Sequence, residues 1–432
     1  MESLRTRTLH QLFFGASVAA AIAVFGWWIF TIVSRTPNLP FTDEWTWADL
    51  SIASRTSQDI IPLLTGVHNG HRNVFGSLIF LLIDRLGGWN VIAEDIVGLA
   101  ILMIGLISLR FFVARHLPAI SRDIVFAFGA LTIAGAQAFE NFLIGYNIDW
   151  QICTAAVLIV ADRITAGGRR NMIIAASAAL IASFSSSQGL LIWVAGACAL
   201  VLLKRPRAFV AWLACATVCI GVYFIGYSVD GQDALRVHNF TEFRHFVEAL
   251  LGVPLNAHLS VKMLRDIGVV VFFGVIAAPI IAYFAKVDLK STAGWAVFAF
   301  YGLAATILTA FTRGGIGPEQ AFSPRYESLS VFVILGVVGV FATIVKVINR
   351  PTISVGATCI GLTLCGIAAL ASQYSSTVVT LYESQRAEEV RVLLANQESK
   401  YAEFAYPNPQ ALNAWLRALD SVGDNPLRKL VK

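Results

Sequence analysis

Apolar residues in this chain neither alternate nor keep to one helical face. They run on for roughly 16 to 23 positions and then stop at charges, long enough to cross a hydrocarbon core as helices. About eleven such spans can be marked, near residues 11–33, 91–113, 119–137, 149–166, 170–186, 189–204, 207–228, 267–286, 291–312, 328–347 and 353–372. Two segments carry the helical period instead. Between Arg72 and Leu86, Val74, Leu78, Ile79, Leu82 and Ile83 fall on one side, with Asp84 and Arg85 close by. Between 229 and 266, Phe243, Phe246, Val247, Leu250 and Leu251 do the same. Each predicts a helix lying in the membrane interface rather than crossing it. The expected fold class is an all-α polytopic membrane protein, with interfacial helices in the first and third long outer loops. Residues 1–372 form its transmembrane domain. Residues 373–432 are polar, rich in helix formers such as Glu383 and Arg386, and too short for a large core of their own, so they predict a small helical appendage.

Composition agrees. Of 432 residues 57% are hydrophobic and 14% charged, whereas a soluble domain carries about 25% charge. The net charge of +5 implies no nucleic-acid partner, because the basic residues sit between the apolar runs. Arg5 and Arg7, Arg110 to Arg122, Arg163 to Arg170, Lys204 to Arg207, Lys286 and Lys290, and Lys346 and Arg350 occupy one alternating set of connections. The other set is longer and holds nearly all the acids. The positive-inside rule puts the basic set in the cytoplasm, the N-terminus with it, and the C-terminal segment outside. The first apolar run is too long for a cleavable signal. All six cysteines lie inside apolar runs without metal-site spacing, which reads as helix packing. No Walker pattern and no Gly-rich fingerprint after a strand occurs. That argues against an ATP-driven pump and against an enzyme fed by cytoplasmic nucleotide sugars.

The chemistry-bearing residues gather in the outer connections. Asp43 and Glu44 stand beside Trp45 and Trp47, just after the first span. Carboxylates are costly near lipid and mark function. Pro37 and Pro40 predict extended backbone there, and a carboxylate held among aromatics suits a general base. His68, His71 and Arg72 surround Asn69 and Gly70 before the first interfacial helix. Their types suit phosphate contacts, and a divalent metal is a weaker alternative with Asp43 as third ligand. Glu140, Asn141, Asn147 and Gln151 form a polar knot between two spans, suited either to reading hydroxyls or to capping a tight turn. Ser185 to Gly189 reads as a hairpin turn. Arg313, Arg325 and Tyr326 bracket a Gly-Pro-rich stretch, where backbone can come close to a ligand and two guanidiniums can hold a phosphate.

Together these stretches resemble the GT-C type of polytopic glycosyltransferase, and within it the bacterial O-antigen-modifying branch. The resemblance rests on Phe41-Thr42-Asp43-Glu44-Trp45, His68-Asn69-Gly70-His71-Arg72, the stretch from Glu140-Asn141 to Tyr146-Asn147, and Ser323-Pro324-Arg325-Tyr326. It implies an inverting enzyme of the bacterial inner (cytoplasmic) membrane with its site on the periplasmic side. Such an enzyme moves a sugar from a polyprenyl-phosphate donor to a glycan or lipid-linked acceptor among membrane lipids, with no cofactor. Carried over, Asp43 is the base with Glu44 behind it. Arg313, Arg325, Tyr326, Arg72, His71 and His68 hold the donor phosphate, and Glu140, Asn141, Asn147, Gln151 and Trp45 meet sugar or acceptor. A lipid-linked sugar flippase or transporter, or a glycan polymerase or ligase, are the alternatives. Glu94 and Asp95, near the start of the second span, would suit a transport path.

Overall fold

A computed structural model describes residues 2–56, 58–228, 235–256, 259–396 and 408–426. Among these the only regular elements are helices, and the chain is an all-α polytopic membrane protein. The long helices are α1 (Glu2–Arg35), α5 (Val91–His116), α6 (Ala119–Ile133), α8 (Ile148–Ala166), α9 (Arg169–Ser183), α10 (Leu191–Leu202), α11 (Pro206–Tyr223), α13 (Val261–Phe284), α14 (Leu289–Arg313), α15 (Pro324–Ile348) and α16 (Pro351–Asn396). Shorter ones are α2 (Ala48–Arg55), α3 (Ile61–Thr65), α4 (Val74–Gly87), α7 (Glu140–Leu143), α12 (Phe240–Gly252) and α17 (Pro409–Ser421). Among the described residues eight helices are long and apolar enough to cross a membrane. The other three expected spans are also helical but differ in kind. α8 has 19 residues and carries Asp149, Asp162 and Arg163, while α9 and α10 have 15 and 12.

Helices form at both periodic segments, as α4 and α12. The bundle closes tightest where side chains are smallest. A Cβ on Gly302 of α14 would stand 2.7 Å from the Val333 backbone nitrogen in α15, so glycine there lets two backbones approach. Between α1 and the end of α6, the Trp28 indole donates to the Ala134 carbonyl at 2.8 Å.

The connections sort into two ends. At one end Lys346 donates to the His116 carbonyl at 2.9 Å, Arg205 to the Ile164 carbonyl at 2.7 Å, and Arg115 pairs with buried Asp162. Asp123, also buried, pairs there with Arg110 at 2.8 Å and Arg122 at 2.9 Å. This is the basic end. At the opposite end Val74 N donates to the Phe184 carbonyl at 2.7 Å and Val237 N to the Phe311 carbonyl at 3.1 Å, knitting the acid-bearing connections together.

The C-terminal part is not set apart from the bundle. Helix α16 runs unbroken through residue 372 for 46 residues, which at 1.5 Å per residue is about 69 Å, well beyond a bilayer core. Helix α17 buries Leu412, Leu416 and Leu419 in one cluster with Trp45, Trp47, Leu50 and Phe80 of the first loop. Arg55 ties the two by pairing with Asp84 and, at 3.0 Å, with Asp424. Residues 397–407 and 427–432 of the expected appendage lie outside the described residues.

Candidate functional site

The first loop does not stay extended as far as its two prolines suggest. Phe41 is extended (φ −137°, ψ 140°), but Thr42–Trp47 then forms a short 3-10 helix that carries both acids. The turn closes because the Glu44 carboxylate reaches back to accept from Phe41 N at 2.6 Å, satisfying a donor that a helix start leaves unpaired. Its other oxygen accepts from Gly145 N. The two acids therefore part ways. Glu44 is fully buried, its pKa pushed up to about 7 by desolvation against the pull of Arg386 and backbone N–H groups. Asp43 is left about a third exposed (37%) and faces a cavity of about 950 Å³.

That cavity draws on six separate stretches of chain at the non-basic end. His71 reaches it from a tight turn in which His68 and His71 exchange both backbone hydrogen bonds, at 2.9 and 2.8 Å. Asn69 (φ 49°) and Gly70 (φ 82°) supply the two positive φ angles that such a turn demands. The His71 ring is fixed by the serine turn: Ser187 N donates to Nδ1 at 3.2 Å, with Ser187 Oγ at 2.8 Å. An accepting Nδ1 requires the ring proton on Nε2. Burial first, then the Arg313, His68 and Arg325 charges, push the His71 pKa down to about 4, so the ring is a neutral donor. Arg313 comes from the end of α14, and Arg325 and Tyr326 from the start of α15. Arg325 sits over the Tyr326 ring at 5.5 Å and pairs with Glu140 at 3.8 Å. Burial raises the Asp43 pKa, but the neighbouring His68 ring, together with the Arg325 and Arg313 charges, outweighs it and holds the carboxyl below its usual range.

Asp43, His71, Asn147, Arg313, Arg325 and Tyr326 thus share one cavity. The remaining residues singled out from the sequence stand elsewhere. Arg72 is buried and spends its guanidinium on backbone, donating to the carbonyls of Tyr223 (2.7 Å), Thr65 and Ile225. Trp45 is buried against Trp89, with ring centroids 5.6 Å apart. Gln151 donates to the Asn141 carbonyl at 2.6 Å and Asn141 to the Arg325 carbonyl at 3.2 Å. Asn147 donates to the Glu140 carbonyl at 2.9 Å, and Glu140 accepts from Ser323 Oγ at 3.1 Å. The polar knot is therefore mainly a capping network that fixes Arg325, and Asn147 alone of it reaches the cavity. His68 is 4.0 Å from Asp43 but faces a second, smaller cavity. Glu94 and Asp95 are buried and line neither cavity.

No protein-family profile, curated protein or solved structure matches the chain. Its chemistry is read from the site itself.

Sequence reading passed over Asp149, Trp150, Tyr227, Arg236 and Gln320, which also line the cavity. Asp149 carried a usable signal, being an acid at the mouth of a span. A single arginine in a long loop, such as Arg236, carries none. Ser187, seen only as part of a turn, is what orients His71. Among the described residues no three His, Cys, Asp or Glu side chains gather to hold a metal ion.

Proposed function

We propose that the chain is a membrane glycosyltransferase of GT-C type. It moves a sugar from a polyprenyl-phosphate donor to a hydroxyl of an extracytoplasmic glycan or lipid-linked acceptor, in the bacterial inner membrane, with inversion. One observation carries the reading: Asp43 faces Arg313, Arg325 and His71 across a single cavity at the end of the bundle opposite the basic loops. A proton acceptor opposite several cationic or N–H donors is what displacement of a phosphate by a hydroxyl needs.

In this mechanism the acceptor oxygen attacks the anomeric carbon and the new C–O bond forms as the bond to the phosphate oxygen breaks. The electron pair leaves with the phosphate. The hydroxyl proton passes to Asp43, whose carboxyl is held ionised by its cationic surroundings. The two guanidiniums and the His71 Nε2–H stabilise the charge growing on the leaving phosphate. Tyr326 and Trp150, with rings 6.0 Å apart, supply an aromatic wall beside it. The basic loops at the opposite end support an extracytoplasmic cavity by the positive-inside rule, where lipid-linked rather than nucleotide-linked sugars serve as donors.

The test is Asp43→Asn, verified as folded and assayed with a polyprenyl-phosphate sugar. Loss of a general base costs about 10²–10⁴-fold, so transfer is expected to fall by that factor while polyprenyl phosphate still binds. Full activity in this variant removes the base role from Asp43. Movement of the lipid-linked sugar across the bilayer with no new glycosidic bond removes the enzyme reading altogether.

A further inference from the structure

A second cavity, of about 370 Å³, opens on the far side of the Asp43–His68 pair. Asp43 borders the larger cavity and His68, 4.0 Å away, borders the smaller. Tyr146 lines both, so the two spaces share a wall beside the Asp43–His68 pair.

The smaller cavity is lined for a hydroxyl-rich guest of pyranose size. Trp47, itself buried, backs the wall, with Phe80 stacked on it at 4.7 Å and Tyr146 at 5.1 Å. The Asn73 amide lies beside the Tyr146 hydroxyl, giving donor and acceptor together. Across from them stands Trp415 of α17, whose indole nitrogen donates to Asp49 at 2.8 Å. Amide, hydroxyl and carboxylate groups around aromatic faces match the alternating C–H and O–H surfaces of a sugar ring. Few cationic groups are present, so a phosphate is a poor guest here. The larger cavity, with its arginines, is the opposite case.

We infer that the smaller cavity binds the sugar end of the acceptor, presenting its hydroxyl to Asp43 past His68, and that the C-terminal helix α17 forms its outer wall. This rests on the reading that Asp43 takes the acceptor proton. It also gives residues 409–421 a role in choosing the acceptor. Docking of that helix onto the first loop then does more than bury leucines.

The experiment uses the full chain in lipid nanodiscs and two probes: a panel of methyl glycosides (glucoside, galactoside, mannoside, rhamnoside and N-acetylglucosaminide) and undecaprenyl phosphate. Saturation-transfer NMR reads the glycosides, and intrinsic fluorescence reads the lipid phosphate. At least one glycoside is expected to bind. Leu63→Trp, which fills the cavity from α3, is expected to weaken it by about tenfold or more. Trp415→Ala is expected to weaken it as well, through the opposite wall. Retained undecaprenyl phosphate binding in both variants shows that the samples are folded. A panel in which no glycoside binds overturns the inference, as does glycoside binding that neither variant changes. Failure of undecaprenyl phosphate to bind the unsubstituted protein strikes the donor reading instead, and leaves the glycoside result to judge this cavity independently.

Discussion

Adjacent acids in this chain have opposite fates, and the cause is local. A short 3-10 helix points Asp43 outward and Glu44 inward. The inward carboxylate is pinned by Gly145, where a Cβ would collide with the Glu94 carboxylate and stand 2.9 Å from Glu44 Oε1. Gly145→Ala is therefore expected to push the Asp43 turn out of place. Overpacking of this kind costs about 1–3 kcal/mol, and a misplaced catalytic group costs about a hundredfold in rate. Thermal unfolding and transfer kinetics on one sample measure both. His68 exerts the largest downward pull on the Asp43 carboxyl. Removing it leaves only Arg325 and Arg313 to oppose desolvation, so the Asp43 pKa rises. The acidic limb of the kcat/KM profile is then expected to move to higher pH in His68→Ala. In the unsubstituted protein, activity should hold on the alkaline side of that limb. There Asp43 is ionised and His71, titrating at about 4, is neutral. A profile unmoved by His68→Ala separates Asp43 from the rate.

At the scale of elements, the site loop is held by a helix remote in sequence. Arg386 of α16 is buried and donates to the Leu143 carbonyl at 2.7 Å and the Leu39 carbonyl at 3.3 Å, bridging the first loop and the α7 turn. Its guanidinium lies over Phe41 at 4.9 Å and pairs with buried Glu383 at 3.7 Å. One planar fork thus anchors two stretches of irregular backbone with a preorganised geometry that a flexible ammonium lacks. Arg386→Ala strands two carbonyls and leaves Glu383 and Glu44 without their cation. Breaking a buried pair from one side costs about 3–5 kcal/mol, expected as a lowered unfolding temperature, with Arg386→Lys recovering only part of it. Equal unfolding temperatures in all three proteins remove Arg386 from this anchoring role.

Over the whole molecule, the two ends of the bundle differ in charge. The basic connections meet at one end and the cavity lies at the other. In a cysteine-free background, Glu319→Cys at the cavity end is expected to react with an impermeant maleimide in intact spheroplasts, and Lys290→Cys only after permeabilisation. The reverse pattern would turn the site toward the cytoplasm and remove the case for a lipid-linked donor.

The run lengths of apolar residues, read without coordinates, were enough for the class of fold and for the sorting of connections into a basic and an acidic set. Both are one-dimensional facts, set by the width of a bilayer and the cost of moving charge across it. They also reached Asp43, His71, Arg313 and Arg325, because charged residues at the ends of apolar spans are few and conspicuous. Side-chain type alone could not separate Asp43 from Glu44, or His71 from Arg72, since neighbours in sequence carry the same chemical promise. Tertiary contacts decided that. Glu44 found two backbone N–H groups and Arg72 three carbonyls, and a buried polar group so satisfied has nothing left for a ligand. Asp149 at the cavity, Ser187 behind His71, Arg386 under the loop and Trp415 over the second cavity all depend on contacts between distant parts of the chain. No periodicity or run length records such contacts, because they exist only once the helices have packed.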